Sequence, residues 1–185
     1  MKTPSGPVVV ISNPTSGHNR DQFDLVSARI TGCHVIEHIV THSAADIAPA
    51  LQTLSQQNIA VLAINGGDGT ASSVLGAMLE SGKFASPPLI ALLPGGTANM
   101  NAGDIGIKGP LKKAVARFCH WCEGDRNTSG RLASRSLLRV TTGADDTAHY
   151  GMFLGGGAVI QGTEYAHKEI HSRGLRNDFS LALGT

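Results

Sequence analysis

Aromatic residues make up only 4% of this 185-residue chain, and cysteine occurs three times. No apolar run approaches the ~20 residues that a membrane-spanning helix needs. Each scarcity excludes something. With so few rings and no stacking pattern, nucleic-acid binding is not expected. Cys33, Cys119 and Cys122 are too few for a disulfide framework. The CxxC of Cys119 and Cys122 stands in a helical pattern with no second CxxC, so helix packing is its expected use rather than metal or redox chemistry. His167 and His171 share a helix spacing, but Lys168 stands where HExxH needs its Glu. The start, MKTPSGPVVVISNP, is too strand-like for a signal peptide, so a cytoplasmic location is expected. GxxxxGK[ST] is missing, and so is a GxGxxG after the first apolar run, which removes the P-loop and standard dinucleotide folds.

What is present is alternation. Strand-like runs at Val8–Ser12, His34–Val40, Ile59–Ile64 and Leu89–Leu93 are separated by helical patterns at Arg20–Ile30, Ala44–Gln57 and Thr70–Ser81. This order predicts an α/β fold: a three-layer domain with a mainly parallel sheet and helices on both faces. A further helix is expected near Pro110–Cys122, stopping before Gly124. After Asn127 the texture changes. Arg131–Thr142 and His149–Leu154 read as a hairpin, followed by Gly155, Gly156, Gly157 and a weak helical stretch near Thr163–His171. The expected organisation is a nucleotide-binding domain over 1–127 and the start of a β-rich second domain, apparently truncated, over 128–185.

Net charge is +1, but unevenly spread. Residues 1–107 hold four Lys/Arg against seven Asp/Glu, and residues 108–185 hold eleven against seven. Lys108, Lys112, Lys113, Arg117, Arg126, Arg131, Arg135 and Arg139 concentrate the excess. It is either a solvated face or one attracted to phosphate or a membrane surface.

Glycine-rich or polar turns follow three of the runs directly: Asn13-Pro14-Thr15-Ser16-Gly17, Asn65-Gly66-Gly67-Asp68-Gly69-Thr70 and Pro94-Gly95-Gly96-Thr97-Ala98-Asn99. The second run ends more plainly at Thr41. In a parallel sheet all four ends open on the carboxyl edge, where open α/β folds bind ligands. Ser16 and Gly17 can give a hydroxyl and an N–H to phosphate, and Asn13 can bond ribose or base. Gly95 and Gly96 allow close approach of backbone to a ligand, and Thr97 can cap a helix while donating to phosphate. Asn99 can orient its loop or a ligand hydroxyl. Asp68 repels a bare anion, which makes sense if Mg²⁺ sits between, through water; its alternative is a helix N-cap.

NPTSG, GGDGT and PGGTAN, in this order, resemble the diacylglycerol kinase catalytic domain, a family of bacterial lipid kinases, sphingosine kinases and ceramide kinases. The resemblance runs from Val8 to about Gly157. It implies ATP bound with Mg²⁺ and transfer of the γ-phosphoryl group to a lipid hydroxyl. It also implies nucleotide contacts from Asn13 to Gly17, Thr41, Gly67 to Thr70 and Thr97. GGDGT is shared with NAD kinases and phosphofructokinases; the other two turns favour the lipid-kinase branch.

The chain departs from the family pattern at three places. Ser72 and Ser73 stand where Asn-Glu is common, and Met100 where Asp is common. The Gly-Asp-Gly-Glu stretch that carries the family's catalytic base is missing; Glu164, Glu169 and Asp178 lack its context, so the base is expected beyond this chain. The alternatives are an NAD kinase-like enzyme and a non-catalytic nucleotide-binding module. Expected partners are ATP, a lipid with a free hydroxyl, transient contact with a membrane surface and a second copy in a homodimer.

Overall fold

A computed structural model describes residues 5–124, 126, 131–141, 143 and 148–155. Gly156, Gly157, the stretch Thr163–His171 with its histidine pair, and Glu164, Glu169 and Asp178 lie outside the described residues. The chain divides into two compact units, Met1–Met152 and Phe153–Thr185, and the elements below belong to the first.

Four strands, β1 (Val8–Ser12), β2 (Ile36–Val40), β3 (Val61–Gly66) and β4 (Leu89–Pro94), form one sheet in the order β2-β1-β3-β4. Every pairing in it is parallel. The α/β layering read from the alternation is therefore the observed one. The central strands β1 and β3 are buried along their whole length. That explains why they read as unbroken apolar runs rather than as alternating ones. Side chains still alternate in direction. Val8, Val10, Val61 and Ala63 enter one core, while Val9, Ile11, Leu62 and Ile64 enter the other.

The first core is closed by α2 (Phe23–Thr31) and α6 (Leu111–Glu123), through Val26, Ile30, Leu111, Val115 and Phe118. The second is closed by α3 (Ile47–Leu54) and α4 (Asp68–Ser81), through Leu51, Leu54, Val74 and Met78. Each such fully buried side chain contributes about 1.5–3 kcal/mol. The expected helix Arg20–Ile30 is split by a turn into α1 (Gly17–Arg20) and α2, and Ala44–Gln57 becomes a 3₁₀ turn (Ala44–Asp46) followed by α3. α4 stops at Gly82, whose φ of +56° is the left-handed cap that glycine takes without strain. α5 (Met100–Ile105) was not among the expected helices, and its N-cap is Asn99 rather than Thr97, the residue read as able to cap a helix there.

The antiparallel pair β5 (Leu138–Thr141) and β6 (Ala148–Gly151) lies within the first unit and packs on α4. Tyr150 covers Gly76 so closely that a Cβ there would come 3.0 Å from its ring. Ser72 donates its hydroxyl to the Tyr150 carbonyl oxygen. The Tyr150 hydroxyl bonds Glu80 and takes an N–H from Arg139 at 3.1 Å.

The three cysteines sit together in the first core, between α2, α6 and the sheet. Cys119 Sγ meets the Arg29 carbonyl oxygen at 3.8 Å, and Cys33 Sγ meets that of Cys119 at 3.9 Å. Burial pushes the Cys119 thiol up to about 11 and that of Cys122 to about 12. Their use is packing, as the helical context of the CxxC implied. Thiolate is the reactive form, so all three should resist Ellman's reagent at pH 8 in the folded chain and react at once in denaturant. Rapid labelling of the native protein would contradict this placement.

Candidate functional site

The parallel sheet brings the three turns to one edge, and the turns then hold one another. Asn19 is the residue that ties them, and it was not among the expected site residues. It is fully buried in α1. Its Nδ2 donates to the carbonyl oxygens of Asn13, at 2.8 Å, and Asn65, at 3.2 Å. Its backbone N–H donates to the Gly95 carbonyl oxygen at 3.1 Å. One side chain and its own amide thus bond three carbonyls: those of Asn13 and Asn65 also take the N–H groups of Ser16 and Asn13, at 3.3 and 2.9 Å, while that of Gly95 takes the Asn19 N–H.

The glycines serve this contact. A Cβ on Gly96 would collide with the Cα of Gly67, and one on Gly17 with Thr97. A Cβ on Gly95 would lie 2.6 Å from Asn65 Oδ1 and 2.7 Å from Asn19 Nδ2. Gly66 is filled in the same way by Thr70, at 2.6 Å from its Cβ. Only Gly69 among the expected glycines has open space at that position. The sequence reading placed Gly95 and Gly96 for a ligand's close approach; the structure shows neighbouring turns in that space.

The polar side chains divide between the turns and the opening. Asn13 Oδ1 takes the Thr15 N–H at 2.9 Å and its hydroxyl at 2.7 Å, while Nδ2 donates to Thr70 Oγ1 at 3.1 Å. The Asn13 amide is thus engaged within the protein. Asn99, at φ +52°, closes its own loop: Oδ1 accepts the Gly96 N–H and Nδ2 donates to the Gly96 carbonyl, each at 2.8 Å. Asparagine tolerates this left-handed backbone better than most residues. Asp68 is the first residue of α4, whose N-cap is Gly67, yet its carboxylate caps another helix. Its oxygens accept the N–H groups of Met100 at 3.1 Å and Asn101 at 2.8 Å, at the start of α5. An anion at a helix N-terminus meets both free donors and the positive end of the helix dipole.

Between the turns lies a cleft of about 360 Å³. It is lined by Asn13, Ser16, Gly17, Thr41, Gly67, Gly69, Thr70, Gly96 and Thr97, all of them expected. Ser43, Ala44, Ile47 and Ser73 complete the wall. Pro14, Thr15, Gly66, Asp68, Gly95 and Asn99 are not part of that lining; they shape the turns behind it. Ser43 precedes a short helix whose Asp46 takes the N–H groups of His42 and Ser43, both at 2.8 Å. These bonds, led by that of Ser43, hold the Asp46 carboxyl below the usual range. The Ser-x-x-Asp spacing after β2 was the available signal for this part of the wall. Among the described residues no charged side chain lines the cleft; its polar groups are hydroxyls, an amide and backbone groups, beside the apolar Ala44 and Ile47. Such a surface offers neutral donors to a phosphate and no counter-charge.

A family model described as the diacylglycerol kinase catalytic domain matches residues 7–125. The curated protein "Probable lipid kinase YegS-like" from Enterobacter sp. (strain 638) is 29% identical over 116 residues, covering 62% of this chain and 38% of that protein. The crystal structure of a diacylglycerol kinase from Bacillus anthracis str. Sterne superposes with a TM-score of 0.51 at 19% identity, covering 62% of this chain and 43% of that one. The chain therefore spans less than half the length of these relatives.

Beneath the turns runs a buried polar chain. Asn65 Nδ2 donates to Ser12 Oγ at 3.0 Å, and that hydroxyl lies 2.8 Å from His38 Nε2 on the neighbouring strand. Since the amide donates, the Ser12 proton is free to go to His38, which fits a neutral imidazole protonated on Nδ1. Burial pushes the His38 pKa below its ordinary value. The unfolded chain thus binds this proton first, so the stability tied to neutral His38 is complete above about pH 6.5 and declines below it. His38→Gln should flatten that part of the pH dependence in urea titrations. An unchanged acid slope would contradict the assignment.

Proposed function

This chain belongs to the diacylglycerol kinase catalytic domain family, and from that premise we propose that it is the nucleotide-binding part of an ATP-dependent lipid kinase. The reaction is transfer of the ATP γ-phosphoryl group to a lipid hydroxyl. The observation that carries this reading is the closure of three strand-end turns around one neutral, hydroxyl-lined cleft on the carboxyl edge of the sheet. Its volume is within the range of small-molecule sites, roughly 300–1,000 Å³. The roles follow from position. Backbone N–H groups of Gly17, Gly67 and Gly69, with the hydroxyls of Ser16, Thr70 and Thr97, receive the phosphates. Thr41, Ser43 and Ser73 form the remaining wall. Asn13, Asn19 and Asn99 keep the turns in register.

The residues present fit a Mg²⁺ ion that arrives on the nucleotide rather than one resident in the protein. Among the described residues no cluster of three or more His, Cys, Asp or Glu could hold a metal. Asp68 gives each carboxylate oxygen to one backbone N–H, which leaves acceptor capacity for a coordinated water. The ion would supply the positive charge that the cleft lacks. The cleft lining also holds no group suited to take the proton of the lipid hydroxyl. That base is proposed to come from residues outside those described, in a β-rich domain that bears the lipid site.

Calorimetric titration with Mg²⁺–ATP tests the reading, with GTP and NADP⁺ as controls. Saturable, Mg²⁺-dependent ATP binding is expected, and Thr97→Ala should weaken it by about 5- to 30-fold for loss of one phosphate contact. Asp68→Ala should weaken it too and also lower the melting temperature, since it uncaps α5. Unchanged affinity in both variants would overturn the assignment. Labelled ATP offered to lipid extract and to NAD then separates a lipid kinase from an NAD kinase-like enzyme.

A further inference from the structure

Seven of the eight cations that concentrate the positive charge of the later half, all but the exposed Arg131, fall into two groups. Some cations have internal partners. Arg135 makes a two-bond pair with Asp104, at 2.8 and 3.1 Å. Arg139 lies 3.8 Å from Glu80, and Arg126 donates to the Gly6 carbonyl oxygen at 2.9 Å. The others, Lys108, Lys112, Lys113 and Arg117, lie along one exposed side of α6 and the residues leading into it. The opposite side of the same helix is the buried row Leu111, Ala114, Val115 and Phe118. Among the described residues, none of these four cations meets a carboxylate at ion-pair distance. The acids at the two ends of this stretch, Asp104 and Glu123, are held by Arg135 and Arg29.

The direction of α6 places this charge. Glu123 lies 3.9 Å from Arg29 near the end of α2, and Arg126 just beyond the helix reaches Gly6 before β1. The carboxyl end of α6 is therefore at the amino edge of the sheet. At the other end, Ile107 donates its N–H to the Leu92 carbonyl oxygen, late in β4, at 3.0 Å. Lys108, Lys112 and Lys113 accordingly stand at the carboxyl edge, the edge that carries the cleft. Met100, at the start of α5 beyond β4, is 54% exposed on that edge. Exposed lysines and an exposed flexible apolar side chain on one edge of the sheet suit a lipid surface better than a polynucleotide, which would want aromatic stacking.

We infer that the basic face of α6 docks this domain on a membrane rich in anionic lipid, setting the carboxyl edge of the sheet toward the bilayer. The choice of a membrane over other polyanions rests on the lipid-kinase reading; the charged face does not. Each lysine or arginine near an anionic surface raises binding about five-fold, and the effect decays within a Debye length.

The test is sedimentation of the whole chain with vesicles of phosphatidylcholine alone or with a third of phosphatidylglycerol, without ATP. Binding is expected on the anionic vesicles only, and it should fall steeply with salt. The Lys108→Gln/Lys112→Gln/Lys113→Gln/Arg117→Gln variant should bind roughly 600-fold more weakly. Lys112→Gln alone should lose several-fold, and Lys83→Gln, distant along the chain on the loop after α4, nothing. The inference is overturned if the wild-type chain ignores anionic vesicles, if it binds both kinds alike, or if the four-fold variant binds like wild type. Displacement from vesicles by a single-stranded RNA at equal phosphate concentration would overturn it in favour of a polynucleotide. Mg²⁺–ATP titration of the same variant judges the nucleotide reading separately, because none of the four residues lines the cleft.

Discussion

Strands that end together at one sheet edge leave rows of carbonyl and N–H groups, and in this chain three turns must bury theirs against each other. Asn19 meets that demand. Its amide and backbone join the ends of β1 and β3 to the loop after β4. The glycines of the second and third turns let the backbones touch, so that Gly67 and Gly96 meet Cα to Cα direction with no room for a side chain. Once the turns are joined in this way, a cleft remains between them whose wall is made of hydroxyls and N–H groups. The recognition surface is a by-product of satisfying the backbone.

Asp68 belongs to the same economy. Its carboxylate spans from the second turn to the helix after the third and neutralises the free donors of α5. A residue that looks like a metal ligand in the linear sequence is first a bolt between two elements. The two roles are compatible, because each oxygen accepts a single N–H. A bolt that also faces a cation-bearing ligand would couple nucleotide binding to the order of the third turn.

Much of this was legible beforehand. Strand-like runs identified the four strands, three of them ending in glycine-rich or polar turns, and parallel topology implied one shared edge. What escaped the sequence depended on tertiary partners. α5 has a glycine, Gly103, inside six residues and little periodicity of its own; it exists because Asp68, thirty-odd positions earlier, caps it. Asn19 stood unassigned between the first turn and the expected helix, because its three acceptors are brought to it only by folding. Ser72 read as a lost amide of the family pattern, whereas it anchors the hairpin by bonding Tyr150. Ser43 carried only the signal of its Ser-x-x-Asp spacing, and Ser73 stood out only as a departure from the family pattern; neither marks a cleft wall in the linear sequence.

The central claim is that the three turns act as one binding surface, and amide NMR of the ¹⁵N-labelled chain during titration with Mg²⁺–ATP tests it most directly. The account predicts that Gly17, Gly69, Thr70, Gly96 and Thr97 shift together with one common concentration dependence. A response confined to a single turn, or centred on the exposed surface of α3 around Gln52 and Gln56, would contradict it.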